Sequence, residues 1–345
     1  MTPPWKAWKE SLQKPPQSEY GYYKEDKPYT CSREQLIEAC ENGITNLVWT
    51  PDSPTLLITS EVPFLFDLHK KKAIRDAWWG IGLSLSLFLI LSAILLSLDE
   101  RPSLGSGRLF YPTLFLLGFF WSIHELIQVR KLTPQEIASS APQSWYSLWL
   151  SLQSCSHTWL LVSAIAFIAF MEVVAGLMGS DPFGSAGLSR EKVLEGEVWR
   201  LVTAPMLHAS PSHLYWNLTA LYFVGRILEA HGKQRWMVAV FTVTAVVGGL
   251  FSLALPPDKI SVGASGGILG LEGFLGVLAW RNEQELPPGF LKRLLIGIGM
   301  TALIGFVGFK FIDNAAHLGG LLAGIGMGLW LIPDRSESSA QAVGS

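Results

Sequence analysis

Two side chains of this sequence could pair a nucleophile with a base. Ser265 stands in Gly263-Ala264-Ser265-Gly266, and His317 closes the segment Asp313-Asn314-Ala315-Ala316-His317. Small neighbours let a substrate carbonyl approach a serine hydroxyl, and histidine is the usual group that takes such a proton near neutral pH. Both segments sit at the mouths of long apolar stretches, where water-dependent serine chemistry has few precedents. A lone Gly-x-Ser-Gly reads more readily as packing glycine in a Gly-rich membrane protein. Its coincidence with the histidine says more than either motif alone.

A further polar group falls in the segment from Met206 to Asn217, which also carries His208 and His213. His213 and Asn217 are one helical turn apart and share a face. Polar side chains this near an apolar segment are costly unless partnered, and so are functional candidates. Acyl transfer needs donors aimed at a developing oxyanion, which an Asn amide and a neutral imidazole N–H can supply. The structural alternative is a helix-capping or interfacial pair.

The elements that must hold these groups follow from composition. Of 345 residues, 49% are hydrophobic and 16% charged, against about a quarter charged in a typical soluble domain. Past Asp76 the chain is dominated by uncharged runs close to the ~20 residues that span a bilayer. Eight spans are predicted, near Ala77–Leu98, Leu109–Ile127, Thr158–Met178, Met206–Leu228, Trp236–Leu255, Ala264–Trp280, Leu294–Phe309 and Asn314–Ile332. An even number puts both termini on one side. That side collects His69 to Lys72, Arg75, Arg130, Lys131, Arg226, Lys233, Arg235, Arg281, Lys292, Arg293 and Arg335. The other holds Arg101, Arg108, Arg190, Lys192, Arg200, Lys259 and Lys310. The excess of basic residues predicts cytoplasmic termini. Ser265 and His317 then lie at similar depth, near the outer ends of their helices.

The last span repeats His317, Gly320, Gly324 and Gly328 on one face. The serine span offers Gly266 and Gly270, with Gly267 and Gly273 nearby. Small residues let helices approach closely in lipid, so the two stripes are expected to bring Ser265 within hydrogen-bond reach of His317.

Ahead of the spans, residues 1 to 76 form a soluble head rich in Lys, Glu and Pro. Its Pro- and Lys-rich start is expected to be poorly ordered, and no cleavable signal is expected there. A helix is predicted with Ser32 as N-cap, Glu34 in the first turn and Gly43 beyond the end. Asn46 to Trp49 and Leu56 to Thr59 read as strands around Pro51-Asp52-Ser53-Pro54. Cys31, Cys40 and Cys155 show no metal-type spacing and are expected to be reduced thiols. A formal charge of -2 argues against a nucleic-acid partner.

With these pieces assembled, the chain resembles the rhomboid family of intramembrane serine proteases. The resemblance rests on Glu197-Val198-Trp199-Arg200-Leu201, the His208, His213 and Asn217 pattern, Gly225, Glu229 and Gly232, Gly263-Ala264-Ser265-Gly266, and Ala316-His317-Leu318-Gly319-Gly320. These motifs appear in the family's order and cover roughly Thr158 to Ile332. The resemblance implies a catalytic dyad of Ser265 and His317 with no third acid. It also implies oxyanion stabilisation by His213, Asn217 and the Ser265 backbone N–H, and an amphipathic outer loop from about Ser180 to Leu201. Two positions depart from the pattern. Leu269 stands where an aromatic often supports the histidine ring. Glu272 stands where an apolar residue is expected, with a polar partner or a wet pocket as its prospects.

The fold class implied is an all-α membrane protein: a six-helix rhomboid core preceded by two extra transmembrane helices and a small α+β head. The expected organisation is a cytoplasmic head over 1–76, a helix pair over 77–127, a cytoplasmic linker over 128–157, the protease core over 158–332 and a cytoplasmic tail over 333–345. Transmembrane proteins are the expected substrates, the bilayer a partner, and a bacterial cytoplasmic membrane the location, with a eukaryotic endomembrane as the alternative and no cofactor or metal. An α/β-hydrolase nucleophile elbow also matches Gly263 to Gly267 followed by Asp313 and His317, but the run before it is of helix length rather than a strand. A non-catalytic membrane chaperone that binds transmembrane helices is the alternative from another class.

Overall fold

The structure is a computed structural model, which describes residues 2–16, 19–25, 27–96, 110–254, 260–309 and 312–333. The tail past Pro333 and the residues Arg101, Arg108, Lys259, Lys310 and Arg335 lie outside them. The chain is mostly helical and divides into two compact units, Met1–Trp149 and Leu150–Ser345.

In the first unit, strands β1 (Tyr20–Lys24), β2 (Lys27–Cys31), β3 (Leu47–Trp49) and β4 (Leu57–Ile58) form an antiparallel sheet in the order β2-β1-β3-β4. The two expected strands are β3 and β4. The β1–β2 hairpin was not anticipated, because its Tyr, Lys and Pro residues show no clean alternation of apolar and polar. Gly21 of β1 lies under Trp49, where an added Cβ would overlap the indole. Helix α1 (Pro4–Ser11) precedes the sheet, and α2 (Arg33–Glu41) follows β2. A capping box opens α2: Gln35 N–H donates to Ser32 Oγ at 3.3 Å and Ser32 N–H to Gln35 Oε1 at 2.9 Å. Gly43, at a φ of 67°, closes it. Leu36, Val48, Val62 and Leu65 make the core.

The expectation of a poorly ordered start is overturned. Trp5 of α1 is 3% exposed and meets Tyr146 edge to face, while Trp8 meets Trp145. Lys14 Nζ donates to the carbonyls of Thr50, Pro51 and Ser53 at 2.8, 3.2 and 2.8 Å. Burying two indoles offsets the entropy of ordering a short segment. The partner aromatics lie in the stretch expected as a cytoplasmic linker, which contains α5 (Pro134–Ser139) and α6 (Ala141–Ser151). Trp145 Nε1 donates to Glu61 Oε2 at 2.9 Å. The unit also contains the helix pair α3 (Phe66–Leu96) and α4 (Phe110–Lys131). They run antiparallel, with Gly80 against Ser122 and Gly118 against Ser84. Burial raises the pKa of the Cys40 thiol to about 11, with a smaller push from Cys31.

The second unit holds α7 (Ser156–Leu177), the short helices α8 (Pro182–Ala186), α9 (Arg190–Leu194) and α10 (Arg200–Thr203), and then α11 (Pro211–Ala230), α12 (Gln234–Ser252), α13 (Ser265–Arg281), α14 (Phe290–Val307) and α15 (Asn314–Leu331). Within the described residues, each of the eight expected spans overlaps one helix, α3, α4, α7 or α11 to α15, while Leu98, Leu109 and Leu255 at span ends lie outside them. Among the described residues, the stretch Pro63–Ile94, α7 and α14 are long and apolar enough to cross a membrane, and α12 is a shorter apolar helix. The helices that carry the candidate residues fall short of that measure. Helix α13 has 17 residues, and polar groups or glycines interrupt α11 and α15.

Helix α13 is buried on almost every side, as its glycines and leucines allow. It packs most closely on α15 and α12, and also on α11. The glycine stripes divide the work. Gly320 and Gly324 of α15 lie against the carbonyls of Gly266 and Gly270, so that a Cβ on either would strike backbone. On its other side α13 meets α12, with Gly267 under Phe241 and Gly270 under Thr244. Glu229, 3% exposed near the end of α11, accepts from the N–H groups of His157 and Thr158 at 2.9 Å each and from His157 Nδ1 at 2.9 Å. A carboxylate there satisfies the orphan donors that open α7.

Candidate active site

Ser265 is the first residue of α13 and His317 sits in the first turn of α15. Because the two helices touch backbone to backbone through their glycines, their N-terminal turns lie side by side. His317 Nε2 stands 2.7 Å from Ser265 Oγ, the separation of a hydroxyl–imidazole hydrogen bond. The structure therefore brings these two expected residues together. The segment before Ser265 follows helix α12, with no strand in the described residues between, so the α/β-hydrolase elbow finds no support.

Backbone geometry prepares the turn into Ser265. Gly263 has a φ of 127° and donates its N–H to Ala204 O at 3.0 Å. A Cβ at Gly263 would come within 2.5 Å of His213 Cε1. The imidazole of His213 thus lies directly on the loop that delivers the serine. Ser210 caps α11 by accepting from His213 N–H at 3.2 Å, which fixes the first turn that carries the histidine. Asn217, one turn on, is 6% exposed and donates from Nδ2 to His213 O at 3.0 Å. That bond uses one of its two amide hydrogens.

Several residues supporting this arrangement were not anticipated. Glu172 of α7 accepts from His208 N–H at 3.2 and 3.3 Å through its two oxygens. The ring of His208 stands 5.2 Å from that of His213. A single carboxylate in an otherwise apolar run was the signal available for Glu172. Asp313 caps α15, accepting from Ala316 N–H at 2.9 Å. An Asp just before a helical pattern is an N-cap signal that the sequence did carry.

The loop from Ser180 to Leu201 is built around Arg200, 4% exposed. Its guanidinium donates to Gly187 O at 2.6 Å, Gly184 O at 3.1 Å and Glu197 Oε2 at 2.7 Å. Leu194, Val198 and Trp199 stay exposed on the same segment, an amphipathic arrangement. Leu188 and Ser261 exchange backbone hydrogen bonds at 2.9 Å, joining this loop to the approach to Ser265. Leu269 is 6% exposed, filling its place as an ordinary core residue. Glu272 Oε2 is buried with no hydrogen-bond partner among the described residues, so the expected polar partner is not found for that oxygen.

Comparison with known proteins points the same way. The Rhomboid domain family model matches residues 195–334, the stretch that holds every candidate residue. The rhomboid-family protein YdcA of Bacillus subtilis is 32% identical over 174 residues, covering 48% of this chain and 86% of YdcA. Rhomboid protease GluP of Bacillus subtilis is 30% identical over 176 residues, covering 49% of this chain but 33% of GluP. Inactive RHOMBOID-like protein 8 of Arabidopsis thaliana is 31% identical over 141 residues, 40% of this chain and 39% of that protein. The fold is that of a multi-pass helical membrane protein. The chain belongs to the rhomboid family.

Proposed function

We propose that this protein is an intramembrane serine endopeptidase in which Ser265 attacks a peptide carbonyl and His317 is its general base. The observation that carries the reading is the 2.7 Å contact between Ser265 Oγ and His317 Nε2. His317 accepts the hydroxyl proton as the serine oxygen bonds to the carbonyl carbon, then returns it to the leaving amine. Water, deprotonated by the same imidazole, hydrolyses the acyl-enzyme. The oxyanion is stabilised by the Ser265 backbone N–H, by His213 and by the second amide hydrogen of Asn217. No metal or cofactor enters this route.

The substrate is a single-span protein whose segment unwinds readily, through Gly, Pro or small polar residues, at the depth of Ser265. A fully helical segment is a poor substrate, because its carbonyls are already hydrogen-bonded. The distribution of basic residues supports cytoplasmic termini and cleavage near the extracytoplasmic face, in a bacterial cytoplasmic membrane. The protease core is 158–332, and the head and helix pair are additions to it.

One relative is named inactive, which keeps a non-catalytic helix-binding protein as the competing reading. A fluorophosphonate label separates the two on one gel. The wild-type protein should take the label, and Ser265→Ala should not. A wild-type protein that stays unlabelled while correctly folded favours the binding protein.

A further inference from the structure

We propose that Asp313 is a positioning residue that clamps the approach to Ser265 onto the helix carrying His317; the inference rests on reading that pair as nucleophile and base. In chain order Asp313 could pass for the acid of a triad. Its carboxylate is engaged elsewhere. Oδ1 accepts from Ala316 N–H at 2.9 Å, and Oδ2 accepts the hydroxyls of Ser261, at 2.5 Å, and Ser252. His317 N–H in turn donates to Asp313 O at 3.1 Å.

Three chain segments meet on this one side chain. Ser252 is the last residue of α12, Ser261 lies four residues before the nucleophile, and Asp313 opens α15. Otherwise the approach to Ser265 is held by backbone bonds to Leu188 and Ala204, neither on α15. Apart from the Ser265–His317 contact itself, Asp313 is the side-chain tether between that approach and α15 among the described residues. An ionised carboxylate suits the task because it only accepts, and it has lone pairs enough for one amide and two hydroxyls. An asparagine keeps one acceptor oxygen and turns an NH₂ toward hydroxyls that must then reorient. A nucleophile–base pair is sensitive to such slack, since a displacement of 1 Å can cost about 100-fold in rate.

The test uses the full-length protein in proteoliposomes, with Asp313→Asn and the double variant Ser252→Ala/Ser261→Ala, which keeps the helix cap. Two quantities are read per folded molecule: the rate of fluorophosphonate labelling at Ser265, and kcat and KM on a transmembrane substrate. Labelling rate and kcat should fall together by about 10- to 100-fold, with KM unchanged. Combining the two sets of changes should cost no more than either alone, because they remove the same clamp. Wild-type labelling and kcat in both variants, with only a lowered unfolding temperature, would overturn the inference and leave Asp313 a structural cap. Should Asp313→Asn not fold, the serine variant decides alone. A wild-type protein that never labels at Ser265 sinks the protease reading and this inference with it, whereas labelling that ignores both variants sinks only this inference.

Discussion

The α-carbon of Gly320 rests against the backbone carbonyl of Gly266, one residue past Ser265 and three past His317. The contact sets the spacing of the two helices at the level where Ser265 Oγ and His317 Nε2 meet. Close Cα–H···O approaches of this kind are favourable as well as compact. The obstacle to any larger residue is backbone, which cannot swing aside as a side chain can.

Gly320→Val and Gly324→Val should therefore separate α13 from α15. Overpacking of this kind costs about 1–3 kcal/mol or more, and cleavage should fall further than stability does. Gly297→Ala and Gly299→Ala on α14 are the controls, since a Cβ at either meets nothing within 4 Å. They should be neutral or stabilising by up to about 1 kcal/mol. Thermal unfolding in detergent micelles, alongside a cleavage assay, checks both halves.

Gly263→Ala attacks the loop rather than the helix contact. The new Cβ meets both an unfavourable φ of 127° and the His213 ring at 2.5 Å. Strain of about 1–3 kcal/mol is expected from the backbone alone. Displacing the imidazole should lower turnover without abolishing it as Ser265→Ala does. Comparing kcat at a temperature well below the unfolding midpoint tests this, and a wild-type kcat would show that His213 has no part in the reaction.

His213→Ala and Asn217→Ala remove proposed oxyanion donors. Each should reduce turnover by ~10²–10³ with a smaller effect on KM. Rates unchanged in both variants, in protein that remains folded, return the pair to a purely structural role.

In the first unit, Trp145→Ala of α6 should be the damaging substitution. The residue is 1% exposed and joins Trp8 and Glu61. Truncation of a buried Trp costs about 3–5 kcal/mol, so limited proteolysis should release the segment around α1 in the variant and spare it in the wild type. Equal resistance would contradict the packing described for α1.

What could be read from the sequence depended on how local the signal was. The motifs around Ser265, His317, His213 and Asn217 carry their chemistry and their helical phase within a few residues. The meeting of Ser265 and His317 followed from glycine spacing on two helices. The capping box at Ser32 and Gln35 was equally local. Helix α1 was hidden because its order depends on aromatics in α6, well over a hundred residues away, and no short window contains both. The β1–β2 hairpin was masked because its residues show no clean alternation of apolar and polar. The clamp on Asp313 joins residues from the end of one helix, a loop and the start of another, so spacing gave no sign of Ser252 and Ser261 as its partners.

The central claim is tested most directly by the products of a single-span model substrate reconstituted with the protein in proteoliposomes and read by mass spectrometry. Wild-type protein should cut at a bond near the Ser265 end of the membrane, and Ser265→Ala and His317→Ala should each leave the substrate whole. Cleavage at the wild-type rate and position by either variant would contradict the account.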